Sequence, residues 1–452
     1  MIAPPQEPPS AAVHRTKAMV FMLFAVCAMN FADRAVFSAL AQTIKADLRL
    51  SDLELGLLQG LVFALLYALV GLPIGLLAER HSRKRIVAAA TAIWSAATLA
   101  TGLATNFLQL AASRLIVGMG EAGFTPCAAS MVGDVAPRDK RASTMSLVLL
   151  GTPVGIFAGA TIAGLIAASW GWRAAFVAFS IPGLIIAALF LLIVEEPHRG
   201  MTDNTAAPES APPIGTFLAT VAGNRSLVWV IAGGSLAGFG MTSISQFLAV
   251  FLARAHGLGV REAAATFGSV SGISIALGLL VGSFGTDYLS RRDPRWPAWG
   301  AAIGLVCAPP IYLAAFHAGS LSVSIALLLL AGSFLLMFFG PTAGMIQNLL
   351  PPRMRASGVA LYTLLYTLIG SGLGPVFVGG MSDLFAARAY GTSYTIDCPH
   401  GLAPAGALAE RAASCAAASA SGIQMALSLA VLSLFVAGAC FLLAAPGLKR
   451  SA

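Results

Sequence analysis

Apolar residues run in long, nearly unbroken stretches along this chain. A helix needs about 20 of them to cross about 30 Å of hydrocarbon. Runs of that length cover 18–44, 53–78, 86–104, 108–132, 143–168, 173–194, 226–253, 263–288, 297–317, 321–350, 356–382 and 422–445. Strands of a membrane barrel would alternate apolar and polar residues over about 10 positions. These runs do not alternate, so the pattern predicts an all-α membrane protein with twelve transmembrane helices.

One polar interruption is long. The segment "EEPHRGMTDNTAAPESAPPIGTFLATVAGNR" (195–225) is rich in Pro, Ser, Asp and Glu and reads as a flexible or partly helical cytoplasmic linker. It separates an N-terminal six-helix bundle (18–194) from a C-terminal one (226–445), with short tails at 1–17 and 446–452. The first tail, "MIAPPQEPPSAAVHRTK", has neither a short apolar core nor a small-residue cleavage site. It reads as a disordered cytoplasmic segment and not as a cleaved signal peptide.

The two bundles echo each other. "GLLAERHSRKR" (75–85) follows the second run and "SFGTDYLSRR" (283–292) the eighth, aligning Glu79 with Asp287, Ser82 with Ser290 and Arg83 with Arg291. "PRDKRAS" (137–143) follows the fourth run and "PPRMRAS" (351–357) the tenth, aligning Pro137 with Pro351 and Arg141 with Arg355. Two matches at nearly one spacing indicate a parallel repeat about an axis along the membrane normal.

Composition agrees with this picture. Of 452 residues, 58% are hydrophobic and only 10% charged, too few to cover a soluble surface of this size. With both termini cytoplasmic, 18 of the 27 Lys and Arg residues fall in inner segments and seven in outer loops. That asymmetry favours an inside–inside topology, and the net charge of +8 is then a topology signal with no nucleic-acid partner implied. Cys27, Cys127, Cys307 and Cys440 lie within runs and read as packing residues. Cys398 and Cys415 share the long loop before the last run, where an oxidising exterior would allow a disulfide.

With loops set aside, four ionisable residues remain inside the runs: Asp33, Arg34, Arg114 and Glu121, all in the N-terminal half. One charge at mid-bilayer costs about 2.5–3.5 kcal/mol on insertion scales, so two acids and two bases imply mutual neutralisation beside a water-filled interior. Arg114 and Glu121 share a helix face two turns apart, about 10 Å along the axis, too far to pair directly. Asp33 is the expected partner between them. Asp33 and Arg34 diverge by about 100° and cannot face one point, while Asn30 lies one turn before both. Burial favours a protonated carboxyl and a nearby guanidinium favours a charged one. A helix movement that carries Arg34 or Arg114 towards Asp33 would therefore couple proton binding to conformation. A static ion-pair cluster that only fixes the bundle is the competing reading.

Twelve helices in 6+6 form, the acidic–basic loops after runs two and eight, "RLIVGMGEAG" (114–123) and "WGWRAAF" (170–176) resemble the major facilitator superfamily over residues 18–445. Glu79 and Ser82 depart from its usual Asp and Gly. "NFADR" (30–34) together with "R-x-x-x-G-x-G-E-A" (114–122) is most similar to its spinster-like branch, although organic-anion symporters share much of the first pattern. The resemblance implies an alternating-access secondary transporter, with Asp33, Glu121, Arg34 and Arg114 in proton coupling and lysolipids or sphingolipids as the substrate class. The repeated loop charges Glu79, Arg80, Arg83, Asp134, Arg141, Asp287, Arg291 and Arg355 are expected to form salt bridges that close the cytoplasmic side.

The C-terminal half offers no charge within its runs. Its polar residues Gln246, Thr342, Gln347, Asn348, Tyr362 and Tyr366 are expected to face the substrate tail, across from Asn30, Arg34, Arg114 and Glu121 at the headgroup. Partners are then membrane lipid, an amphipathic substrate and protons, for a monomer in a bacterial-type inner membrane, with no cofactor and no metal site. A symporter of small organic anions is the alternative. An intramembrane enzyme is remote: "GGSL" (233–236) is the nearest serine motif, and no helix-buried His stands by as base. Nor is there a phosphate-cradling Gly-rich Lys motif for ATP-driven pumping. "GSGLGP" (370–375) is a candidate hinge.

Overall fold

The computed structural model describes residues 9–137, 140–199, 214–351, 354–404 and 406–449. Eleven helices in it are long and apolar enough to cross a membrane: α1 (Arg15–Leu48), α2 (Asp52–Arg80), α3 (Arg83–Leu103), α4 (Phe107–Val135), α5 (Ser143–Ile193), α6 (Arg225–His256), α7 (Val260–Ser290), α8 (Trp296–Phe316), α9 (Leu321–Asn348), α10 (Ser357–Tyr390) and α11 (Ala409–Leu448). Several start where a polar side chain takes up free N–H groups. Ser51 and Glu54 form a capping box at α2, and Asn106 and Asn224 cap α4 and α6.

The difference from twelve runs lies in α5. Its 51 residues would reach about 75 Å as one rod, more than twice the hydrocarbon thickness. Gly171, at φ +82°, breaks it, so the runs 143–168 and 173–194 are two arms joined without a polar loop. Other boundaries also move. The first helix extends back to Pro9, the linker contains a helix at Ile214–Gly223, and α11 begins at Ala409, well before 422. Residues 1–8 of the first tail and 200–213 of the linker lie outside the described residues.

The ends of the bundle can be told apart by contacts. Arg15 pairs with Glu195, Arg83 with Glu196, and Asn224 bonds the Leu349 carbonyl; these mark the tail end. The α1–α2 turn and the C-termini of α6 and α10 lie at the opposite, far end.

Small residues set how closely the helices approach. A Cβ on Gly155 would lie 2.1 Å from the Ala28 carbonyl oxygen, and one on Gly159 2.7 Å from Ala32 Cα, so α1 and α5 touch through backbone. Gly370 and Gly374 seat α10 on Gly238 and Phe239 of α6 in the same way. Gly71 and Gly75, also spaced as a helix-contact pair, do not: nothing approaches Gly75 within 4 Å.

The same device joins the two halves, over part of their length. Gly379 meets Asp52, Gly56 meets Pro375 and Gly60 meets Gly372 along α2 and α10; Gly164 meets Ala264 and Gly268 meets Ala160 along α5 and α7. Further towards the tail end the glycines of these helices meet only their own half: Gly278 and Gly282 lie against Leu336 and Met337, and Gly71 against Ala122. The halves therefore meet at the far end and part towards the tail end. Ser38 of α1 donates a hydrogen bond to Gln246 of α6 across the seam. These two residues stand 208 apart, the spacing of the repeat itself. Repeat-equivalent positions touch only where the pseudo-two-fold axis passes between them.

Candidate functional site

At mid-depth, α1 and α4 bring the four expected charges together. The pairing differs from expectation. Arg34 donates from Nε to Glu121 at 2.6 Å, so Arg34, and not Asp33, meets the acid on α4. Asp33 turns the other way, as the 100° offset requires, and is buried against α3, where Thr98 donates to Oδ2 at 3.4 Å. Among the described residues its Oδ1 and the Glu121 Oε1 are buried without a hydrogen-bond partner. Asn30 is buried beside Glu121.

Arg114 is held differently from Arg34. It is 3% exposed, and among the described residues it joins no hydrogen bond or ion pair. Its guanidinium lies 4.6 Å from the Phe37 ring centroid and 5.2 Å from that of Phe63. Phe63 also lies 4.7 Å from the Arg34 guanidinium, with Phe31 and Tyr67 close by. Aromatic faces attract desolvated cations by about 2 kcal/mol, so these rings hold two like charges near each other without an anion on Arg114. Of the two arginines only Arg34 reaches the space between the halves, with 27% of its side chain exposed.

The C-terminal half supplies the facing wall only in part. Tyr362 and Tyr366 pack with ring centroids 5.8 Å apart, and among the described residues the buried Tyr362 hydroxyl has no partner. Both lie next to or within the π-helical turn Tyr366–Leu373, which replaces regular helix at the expected hinge. Gln246 is engaged by Ser38, and Thr342 is fully buried, bonding back to the Phe338 carbonyl at 2.6 Å. Gln347 and Asn348 are exposed on the last turn of α9 at the tail end, away from the mid-depth charges.

A second charged cluster closes the far end, and the runs gave no sign of it. Asp52 accepts from Lys45 at 2.5 Å, from both Arg254 terminal nitrogens at 2.7 Å and from Ser382 at 2.6 Å. Asp383 accepts the backbone N–H groups of Asp52 and Leu53, at the N-terminus of α2. Lys45 and Asp52 belong to the N-terminal half, Arg254 and Asp383 to the other. The expectation that the C-terminal half brings no charge into the helices is thus corrected. Tyr394 lies against this cluster; burial, then the Asp52 and Asp383 carboxylates, push its phenol up to about 12.

Among the described residues, Glu79, Arg80, Arg83, Asp287, Arg291 and Arg355 form no ion pair between the halves at the tail end. Arg83, 1% exposed, binds Asp134 and Ser130 of its own half and Glu196 and the Pro197 carbonyl at the start of the linker. Partial burial pushes Glu196 up, but bonds from Ser82, Lys84 and Arg83 outweigh it and hold the carboxyl below its ordinary range. Glu79 and Arg80 are exposed, with the Glu79 carbonyl taken by Arg199. Arg141 and Arg355 each donate to a carbonyl five residues back, Ala136 and Leu350. Asp287 and Arg291 are exposed, and among the described residues neither joins an ion pair. Cys398 and Cys415 form a disulfide, with Cys415 on the first turns of α11 and not in a loop.

Residues 22–375 match the model of the Major Facilitator Superfamily. The chain is 30% identical over 370 residues to an MFS-type efflux pump of Mycolicibacterium smegmatis, covering 82% of this chain and 85% of that one. It is 26% identical over 390 residues to a sphingosine-1-phosphate transporter of Danio rerio, covering 81% and 75%. Among solved structures it resembles a bacterial homolog of the human lysosomal transporter spinster in an inward-facing, unoccupied conformation. The TM-score is 0.86 at 29% identity, over 99% of each chain.

Proposed function

Because the chain belongs to the Major Facilitator Superfamily, and within it to the spinster-like branch, we propose that it is a proton-coupled secondary transporter of an amphipathic, lipid-like substrate with an anionic headgroup. It works by alternating access through twelve crossings, with both termini cytoplasmic. The far end is then the outer face, closed here, and the space between the halves opens inward. The observation that carries the reading is the set of buried Asp33, Arg114 and Glu121 with the half-buried Arg34, placed where the halves begin to part.

In this reading the headgroup enters beside Arg34 and its Glu121 partner, and the tail lies along Tyr362 and Tyr366. Asp33, which accepts from Thr98 and among the described residues joins no ion pair, carries the proton. An anion that draws Arg34 away from Glu121 leaves that acid without its partner, so substrate and proton compete for the same small set of charges. By linkage, each changes the affinity for the other. The sphingosine-1-phosphate transporter among the relatives supports the lipid class. The compact pair of guanidiniums also suits a small carboxylate, which makes an organic-anion symporter the second reading.

The test is uptake into proteoliposomes under an imposed pH gradient, with lysolipids, sphingoid phosphates and short organic acids as substrates. The expected result is gradient-stimulated uptake of a lipid with an anionic headgroup, unaffected by competing short acids. A gradient that neither drives nor alters uptake of any of them would overturn the coupling.

A further inference from the structure

Gln59 plays no part in the site described above. It is 1% exposed, and among the described residues neither its amide nitrogen nor its amide oxygen has a partner. A hydrocarbon of the same size would fill that place without burying an unsatisfied amide. The residue sits where α2 breaks: the helix is regular over Asp52–Gln59, departs at Gly60 (φ −106°, ψ −99°) and resumes at Leu61.

Two observations place it. Gly56 and Gly60 face the backbone of Pro375 and Gly372 across the seam. Gln59 stands one residue, about 100°, from Gly60 and so off the line of that seam, and Phe63 follows one turn on, past the break. Phe63 is the ring that lies against both guanidiniums. Its carbonyl oxygen would be 2.3 Å from a Cβ on Gly118, so α2 and α4 touch there. Both helices run from the far end to the tail end. One turn back on each, about 6 Å towards the far end, stand Gln59 and Arg114. A buried amide with both atoms unpaired is therefore level with a buried guanidinium that makes no hydrogen bond.

We infer that Gln59 and Arg114 form an oxyanion subsite behind the Phe63 ring, which receives the phosphate or carboxylate of the substrate headgroup once it has passed Arg34. The inference rests on the transporter reading above. The guanidinium supplies charge, the amide nitrogen a second donor, and the amide oxygen accepts a hydroxyl or a protonated headgroup oxygen. Phe63 separates this subsite from the cavity that Arg34 reaches.

The experiment is binding to the full-length protein in detergent of three probes with one acyl chain: lysophosphatidate, the corresponding fatty acid and the corresponding monoacylglycerol. Gln59→Met, close in shape and apolar, is expected to raise Kd for lysophosphatidate about tenfold or more and to leave monoacylglycerol unchanged. A comparable loss for the fatty acid identifies any oxyanion as the ligand, and a loss for lysophosphatidate alone narrows it to phosphate. Wild-type Kd for both anions in Gln59→Met, or equal weakening of all three probes, would overturn the subsite. If Gln59→Met does not fold, Gln59→Glu serves, because a carboxylate facing Arg114 must abolish binding of both anions; retained binding overturns the proposal. Anion binding that responds to Arg114→Gln and not to Gln59 variants leaves the transporter reading standing. Wild-type protein that neither binds nor transports these lipids overturns both.

Discussion

Asp52 is the residue whose change should move the whole molecule. It accepts four hydrogen bonds at the far end, three of them from the cations Lys45 and Arg254, and the bonds from Arg254 and Ser382 cross between the halves. Asp52→Asn keeps the shape and removes the charge. Lys45 and Arg254 then lie buried together with Asp383 as the remaining anion among the described residues, and Asp383 is already engaged by the backbone of α2. Removing one partner from a buried pair costs about 3–5 kcal/mol because the other charge stays desolvated. That penalty falls on the state closed at the far end, since opening returns both cations to water. At about 1.4 kcal/mol per tenfold, the closed state loses roughly 10²- to 10³-fold in population.

Spin labels at Leu108 and Leu408, exposed far-end positions in opposite halves, read this directly. Wild-type protein should give one short interlabel distance by pulsed electron resonance, and Asp52→Asn should add a longer one as the major population. Arg173→Ala is the control: its partner Asp47 lies in the same half and both are about 40% exposed, a class of pair worth about 0–1 kcal/mol. An Asp52→Asn distribution identical to wild type, in a protein that elutes and melts normally, would refute the idea that this cluster holds the far end shut.

Four further outcomes are expected. Asp33→Asn should reduce uptake under a pH gradient to the level seen without one while substrate exchange continues, measured side by side in proteoliposomes. Arg34→Ala leaves Glu121 buried without its cation and should cost about 3–5 kcal/mol, and Glu121→Gln in the same chain should recover most of it, as a double-mutant cycle in thermal unfolding would show. Cys398→Ser with Cys415→Ser opens a closure of 17 residues and should lower stability by about 3 kcal/mol, matched by adding reductant to wild type. Glu196 sits below its ordinary range in the folded protein, so its contribution is complete above its unfolded value of about 4.3 and lost as pH falls through the folded one. Glu196→Gln should thus lower the melting temperature near neutral pH and remove this part of the acid sensitivity.

Hydropathy was sufficient for the helices and for the mid-depth charges, because each of those charges interrupts a long apolar run. The far-end cluster escaped for a specific reason. Lys45, Arg254 and Asp383 each stand one residue beyond the end of a run, and Asp52 one before the start of another. A polar residue at a helix end reads as loop, and only the folding of four ends against one another buries it. The tail-end loops misled in the opposite sense. Their repetition is real, but Arg83 satisfies itself within its own half and at the start of the linker, and nothing in one sequence distinguishes a bridge within a half from one across the seam. Pairing inside the mid-depth set was likewise out of reach. The 100° offset correctly separates Asp33 from Arg34, yet which of them meets Glu121 depends on how α1 is rotated against α4. The break between the runs 143–168 and 173–194 was legible, but not that Gly171 would make it a sharp turn without a polar loop.

The two charged clusters share a balance that suits a protein that must move. Each contains two acids and two bases. The mid-depth set comes wholly from α1 and α4 and so travels with one half, its Arg34–Glu121 pair untouched by any opening. The far-end set is divided, with one cation and one anion from each half: Lys45 with Asp52, Arg254 with Asp383. If one half supplied both cations, opening would leave two like charges together in a low-dielectric wall, at a cost that would hold the gate permanently closed. With the charges divided as they are, Lys45 and Asp52, already bonded at 2.5 Å, stay together when the halves part. Opening then gives up the bonds from Arg254 and Ser382 and the α2 N-terminal contacts of Asp383 without stranding a net charge on either side. The charge-reversing pair Asp52→Lys with Lys45→Asp keeps each half neutral and should restore much of the closed-state population that Asp52→Asn loses, in the same distance measurement. Asp52→Lys alone should not.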